Sequence, residues 1–151
     1  MRLPTFYVAI ALLAIIGFGG APSPSISDEP TDNHSQHSQV HGKCAKVCVE
    51  CQIACDECAR RGAVLLREGH TESFAAFQTA EDCATICTAA SRILSRGGPS
   101  SARICDTCRE ACASCAKECE RFVDDQHMAA CAEKCRDCEK ACERMSKAMR
   151  D

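Results

Sequence analysis

Sixteen cysteines recur along this chain at steps of three and four residues. The first run is Cys44, Cys48, Cys51, Cys55 and Cys58, and a pair follows at Cys83 and Cys87. A third run is Cys105, Cys108, Cys112, Cys115 and Cys119, and the last is Cys131, Cys135, Cys138 and Cys142. Alternating steps of three and four stay on one face of an α-helix, because 3.6 residues complete a turn. These are the positions where a helix bundle normally places Leu or Ile. The face that should form an apolar core is therefore built of thiols, and a row of inward-facing sulfurs is a ligand array for a soft metal ion.

The breaks between the runs set the expected architecture. Helix one is expected over residues 41–68, stopped by Gly69, a residue that suits a helix C-terminus. Thr71 is expected to cap helix two, which would run to about Arg96. The stretch Gly97-Gly98-Pro99-Ser100 is a strong break, with Ser100 or Ser101 as the next cap. Asp124 or Asp125 would cap helix four, which should end near Met149. Four helices of similar length joined by short turns predict an all-α fold, an antiparallel up-down-up-down four-helix bundle with a cysteine-lined core. The charged residues agree: Arg103, Asp106, Arg109, Glu110, Lys117, Glu118, Glu120 and Arg121 all avoid the thiol stripe of helix three.

The stripes continue beyond the cysteines. Met128, Cys131, Cys135, Cys138, Cys142, Met145 and Met149 keep the alternation on helix four. His34, His37, His41 and Cys44 keep it ahead of helix one. Helix two differs: Ser73, Ala76, Ala80, Cys83, Cys87, Ala90 and Leu94 occupy its stripe, so it offers two thiols near its middle.

With no Trp, one Tyr and five Phe, the chain has few large side chains for a conventional core. Small chains with thin cores usually need a disulfide or metal staple. A net charge of −3 and the lack of a basic patch interleaved with aromatics argue against a nucleic-acid partner. Residues 6–18 are almost wholly apolar, preceded by Arg2 and followed by small residues. Residues 1–21 therefore read as a signal peptide, and the run is short for a membrane span of about 20 residues. The expected location is exported, periplasmic or secreted, with an uncleaved membrane anchor as the alternative. Residues 22–40, rich in Pro, Ser, Asp and His, read as a flexible linker, and residues 41–151 as the bundle domain.

Several chemistries can use cysteines. A disulfide-stapled exported structural domain is one alternative, although such domains are loop-rich, and neighbouring cysteines on one helix point the same way, which strains a local bridge and leaves only cross-helix ones. C-x-x-C pairs such as Cys48/Cys51 and Cys105/Cys108 lie mid-helix with no strand signal, unlike a redox motif at a helix N-terminus. No Ser-His-Asp set or phosphate loop is evident, so no enzyme is expected. Zinc prefers closed sets of four thiolates, and a metallothionein-like zinc or cadmium buffer remains an alternative. Cu(I) suits a continuous stripe better, because it prefers thiolate and thioether. Each Cu(I) that displaces about one thiol proton leaves the charge of the core unchanged. Shared thiolates then give a capacity of about one Cu(I) per cysteine, on the order of 16 ions.

The blocks Cys44-Ala-Lys-Val-Cys48-Val-Glu-Cys51-Gln-Ile-Ala-Cys55-Asp-Glu-Cys58, Cys105-Asp-Thr-Cys108-Arg-Glu-Ala-Cys112-Ala-Ser-Cys115-Ala-Lys-Glu-Cys119 and Cys131-Ala-Glu-Lys-Cys135-Arg-Asp-Cys138-Glu-Lys-Ala-Cys142 resemble the bacterial copper storage proteins. The likeness covers roughly residues 41–149. It implies four-helix bundles filled with Cu(I) bound by cysteine, assembled as tetramers. Some members of that family are exported and others cytosolic, and the apolar N-terminal segment here points to the exported type. The expected role is to bind and store multiple Cu(I) ions, with a copper chaperone or a copper-enzyme recipient as partner.

An up-down bundle brings His41, Met145 and Met149 to one end, which is the expected mouth for copper. Val64, Leu65, Phe74, Phe77 and Phe122 collect at the other end as a hydrophobic plug, with His127 and Met128 nearby. The candidate metal ligands are thus the sixteen cysteines together with Met145, Met149 and His41. His70 sits in a turn and reads as solvated.

Overall fold

A computed structural model describes residues 32–150. The expected signal peptide and the first part of the expected linker lie outside the described residues. Four α-helices follow one another: α1 (Asp32–Arg67), α2 (Phe74–Leu94), α3 (Ser101–Cys119) and α4 (Gln126–Ala148). A single 3-10 turn, Thr71–Ser73, precedes α2. Each helix packs against two neighbours, α1 on α2 and α4, and α3 on α2 and α4. The sulfur pairs fix the directions. Along α1, Cys48, Cys55 and Cys58 face Cys142, Cys135 and Met128 in turn, so α4 runs the opposite way. The result is the expected antiparallel four-helix bundle.

The core is the cysteine column. Fifteen of the sixteen cysteines are completely buried, and Cys44 keeps only 5% of its surface exposed. Alanines line most of the rest of α2's inner face, at Ala76, Ala80, Ala84 and Ala90, with Leu94 at its end. They combine high helix propensity with small volume. Gly62 serves close approach: a methyl group there would stand 2.9 Å from Cβ of Phe77, so only glycine lets α1 and α2 come this near.

The helix ends obey backbone chemistry more than side-chain capping. Gly69 has φ +95°. Its N–H donates to Leu66 O, and the N–H of His70 donates to Leu65 O. Gly97, at φ +59°, ends α2 in the same way, through Gly97 N–H to Leu94 O and Gly98 N–H to Ile93 O. Both are left-handed helix stops that favour glycine.

Three boundaries differ from the sequence reading. Helix α1 begins at Asp32 rather than His41, so residues 32–40 of the expected linker are helical. The His34/His37/His41 stripe already kept helical phase there, and no proline follows Pro30 until Pro99. Thr71 does not cap α2; it opens the 3-10 turn, and Ser73 precedes the helix without capping it. Ser73 has right-handed helical dihedrals, whereas a capping side chain needs an extended backbone. Its hydroxyl instead donates back to His70 O at 2.8 Å. Likewise Ser100 makes no capping bond, and the Ser101 hydroxyl donates to Gly98 O at 2.6 Å.

Asp125 is the cap the sequence anticipated. Its backbone is extended, and its carboxylate accepts from the N–H groups of His127 at 3.1 Å and Met128 at 3.3 Å. Arg61 of α1 reaches the same carboxylate through Nε at 2.6 Å, tying two helices together. Burial alone would raise this carboxyl, but the Arg61 guanidinium and the two N–H groups outweigh it and hold it below the ordinary aspartate value. A depressed carboxyl stabilises the fold above its unfolded value and loses that contribution as pH falls through the folded one. Asp125→Ala is therefore expected to lower stability at neutral pH by about 1 kcal/mol for the cap. The thermal midpoint of the reduced, metal-free protein should drop by about 4 °C. That difference should shrink as the melts are repeated at progressively lower pH, because the wild-type carboxylate loses its contribution as it becomes protonated in the folded state.

Candidate metal centre

Helical phase on four helices brings the thiols into one continuous column. At one end Cys44 lies 3.9 Å from Cys142, and Cys105 faces both. Next, Cys48 lies 3.8 Å from Cys142 and from Cys138, and Cys138 is 3.8 Å from Cys108. In the middle, Cys51 is 3.8 Å from Cys112 and 3.7 Å from Cys135. The two thiols of α2 join at this level, Cys83 at 3.6 Å from Cys112 and Cys87 at 3.5 Å from Cys108. Further along, Cys55 is 3.5 Å from Cys135 and 3.7 Å from Cys131, and Cys131 is 3.8 Å from Cys115. At the far end Cys58 is 3.4 Å from Cys119 and 3.2 Å from Sδ of Met128.

All sixteen cysteines are free thiols. Along the column, sulfurs fall into overlapping sets of four whose members lie within 4.8 Å of one another. Cys48, Cys108, Cys138 and Cys142 form one set, and Cys55, Cys115, Cys131 and Cys135 another. Cys55 and Cys135 also belong to a set with Cys51 and Cys83. Such sharing separates this column from isolated tetrahedral knots, because one sulfur stands within reach of two neighbouring ions. Sulfurs about 4 Å apart surround a point from which each is about 2.3 Å away, an ordinary metal–thiolate bond.

The thiols hold each other's protons. Cys135 is pushed far up, because hydrogen bonds with Cys112, Cys115, Cys131 and Cys51, followed by burial, favour its protonated form. Cys105 is raised by Cys142 and Cys44 and by burial. Cys83 is lowered to about 7, chiefly by its hydrogen bond with Cys112. A column of this kind cannot ionise as a whole without cations inside it. Incoming metal would replace the shared protons.

Every expected cysteine ligand is thus in the column. Met145 is 98% buried one turn beyond Cys142, and Met149 packs partly buried against the core. His41 lies one turn before Cys44, with its ring against the α2–α3 turn; a methyl group at Gly97 would stand 3.8 Å from Nδ1. The expected grouping of His41, Met145 and Met149 at one end is what the helix directions produce. Leu65, Phe77 and Phe122 pack at the opposite end, as the plug reading anticipated, although Phe74 is half exposed. Sequence reasoning set Met128 beside the plug, whereas its thioether sulfur stands at the far end of the sulfur column. Its place on the α4 stripe, three residues before Cys131, was the available signal.

Residues 36–147 match the profile of the copper storage protein family. The chain belongs to that family. Among solved structures it is similar to a Cu(I)-bound copper storage protein, BsCsp3, at 28% identity and a TM-score of 0.64, covering 74% of this chain and 99% of that one. It is also similar to a cytosolic copper storage protein from Streptomyces lividans, studied with five coppers, at 29% identity and a TM-score of 0.64, covering 75% and 97%. The Streptomyces lividans protein loaded with 10 copper equivalents matches at 29% identity and a TM-score of 0.64, covering 80% and 93%. A search among curated proteins finds no match.

These relatives correct the expected location. The reading as exported, periplasmic or secreted rested on the apolar run of residues 6–18, which lies outside the described residues, whereas the Streptomyces lividans relative is described as cytosolic. Among the described residues no helix is long and apolar enough to cross a membrane.

Proposed function

We propose that this protein stores Cu(I), holding many ions along its thiol column through the sixteen cysteines, and that it is a store and not a catalyst. The observation that carries this is the continuity of the column: sulfur follows sulfur at 3.4–4.0 Å from Cys44 to Cys119. Four-thiolate zinc sites need closure around each ion, whereas bridging thiolates and low coordination numbers suit Cu(I). Charge favours the same ion. One Cu(I) per lost proton keeps the interior neutral, while a divalent ion on four thiolates leaves two negative charges buried. Anaerobic titration of the reduced protein with Cu(I), read by copper retained and thiols protected, tests the reading.

Copper enters at the end carrying His41, Met145 and Met149. The support is graded exposure: Cys44 keeps 5%, Met145 2% and His41 9% of their surface, while Cys58, Cys119 and Met128 at the other end keep none. Thioethers bind Cu(I) without a charge and more weakly than thiolates, so they pass an ion inward without trapping it. Replacing Met145 and Met149 by Leu keeps size and apolarity. The double variant is expected to load severalfold more slowly from a Cu(I) chelator in stopped flow, with its thiol capacity unchanged. Unchanged rates there, with slowing in Met128→Leu or His127→Ala, would move the mouth to the opposite end. A copper chaperone or a copper-enzyme recipient would exchange ions at this mouth. Val49 and Ile53, one turn apart on the outer face of α1 and about half exposed, offer an apolar strip for self-association.

A further inference from the structure

The thiol column does not stop at cysteine. At the end away from the mouth, Sδ of Met128 lies 3.2 Å from Sγ of Cys58, the shortest sulfur contact at that end. Cys119 approaches the same Sγ at 3.4 Å. All three side chains are completely buried, so the three sulfurs meet in a pocket closed to water. Cys131, one turn along α4 from Met128, continues the column from this end, 3.8 Å from Cys115 and 3.7 Å from Cys55.

We infer that Cys58, Cys119 and Met128 form a terminal Cu(I) site of mixed thiolate and thioether character, the innermost position of the store. The inference rests on the Cu(I)-storing reading of the column and adds to it a ligand that is not a cysteine. Three elements fix the site. The α1 stripe delivers Cys58 and the last turn of α3 delivers Cys119. The first turn of α4 delivers Met128, whose backbone N–H is held by Asp125 at 3.3 Å. Asp125 is in turn held by Arg61, one turn beyond Cys58 on α1. The cap thus sets the position of the thioether.

Charge explains why methionine suits this place. Three buried thiolates around one Cu(I) would leave two negative charges, whereas two thiolates and a thioether leave one. Binding here releases the protons of Cys58 and Cys119 to solvent, forms two thiolate–copper bonds and one thioether–copper bond, and changes no oxidation state. Thioether ligation also favours Cu(I) over zinc, which takes thiolate, imidazole and carboxylate. Modest outward relaxation of the flexible Met128 side chain gives bond lengths near 2.3 Å.

The chain has four methionines, so selenium can report this site. In selenomethionine-substituted Met145→Leu/Met149→Leu protein, selenium remains only at residues 1 and 128. After saturation with Cu(I), X-ray absorption at the selenium edge is expected to show a copper neighbour at about 2.4 Å. Adding Met128→Leu should abolish that signal. In the otherwise wild-type chain, Met128→Leu should lower capacity by about one ion while all thiols stay protected. A saturated column whose selenium sees only carbon, a copper signal that survives Met128→Leu, or a Met128→Leu capacity equal to wild type overturns this site and leaves the storage reading standing. Protein that takes up no Cu(I) overturns both.

Discussion

Titrated anaerobically with Cu(I), the reduced protein will take up on the order of 16 ions, about one per thiol, before free copper appears. Reagents that modify thiols will find none accessible at saturation. The expectation follows from sharing: Cys55 and Cys135 stand in more than one four-sulfur set, so each can bridge two ions. A column that treated its thiols as independent fours would stop at about four ions. Titration with Zn²⁺ is the counter-experiment. Saturation at about four Zn²⁺, with Cu(I) failing to displace it, would replace the copper store by a zinc buffer. Position within the column sharpens the test. Cys135 lies at hydrogen-bonding distance from Cys51, Cys55, Cys83 and Cys131. Cys44 contacts fewer sulfurs and sits at the mouth. Cys135→Ala should therefore reduce capacity more than Cys44→Ala does.

Without metal and under reducing conditions, the protein will already be helical. Free thiols behave as small apolar side chains when buried, and fifteen of the cysteines have no exposed surface. The helix ends have their own stops at Gly69 and Gly97 and their own cap at Asp125. Surface ion pairs link the helices outside the core, Arg136 of α4 to Glu120 beyond α3 at 2.8 Å and Lys134 of α4 to Glu50 of α1 at 3.1 Å. Far-UV circular dichroism of the reduced apoprotein is expected to show a helical spectrum that changes little when copper is added. The thermal midpoint should rise steeply on loading, because ions that bind only the folded column stabilise it by mass action. A coil spectrum that turns helical only with Cu(I) would make the metal the staple of the fold.

Particular elements show how far the sequence could be read. Steps of three and four fixed the inner face of each helix, because helical phase is a local property. Every cysteine placed on that face is buried there. Gly69 and Gly97 marked helix stops for the same local reason. The serine and threonine caps did not survive, because whether a hydroxyl caps a helix depends on its own backbone dihedrals. Ser73 enters α2 from a 3-10 turn with helical angles, and its hydroxyl turns back to His70. The start of α1 was misplaced at His41 because composition favoured a linker where the histidine stripe already carried helical phase. Location was read from an apolar stretch outside the described bundle, and the family's cytosolic member removes that ground.

The sequence by itself determined four cysteine stripes, their breaks and therefore the bundle, since periodicity and turn chemistry are written residue by residue. Only the tertiary structure decided which sulfurs meet. Register between helices sets that, and it depends on close packing such as Gly62 against Phe77 and on ties such as Arg61 to Asp125. That register makes a column of shared sulfurs out of separate fours. It also seats Met128, which the sequence could place only near an apolar plug, 3.2 Å from the last cysteine of α1.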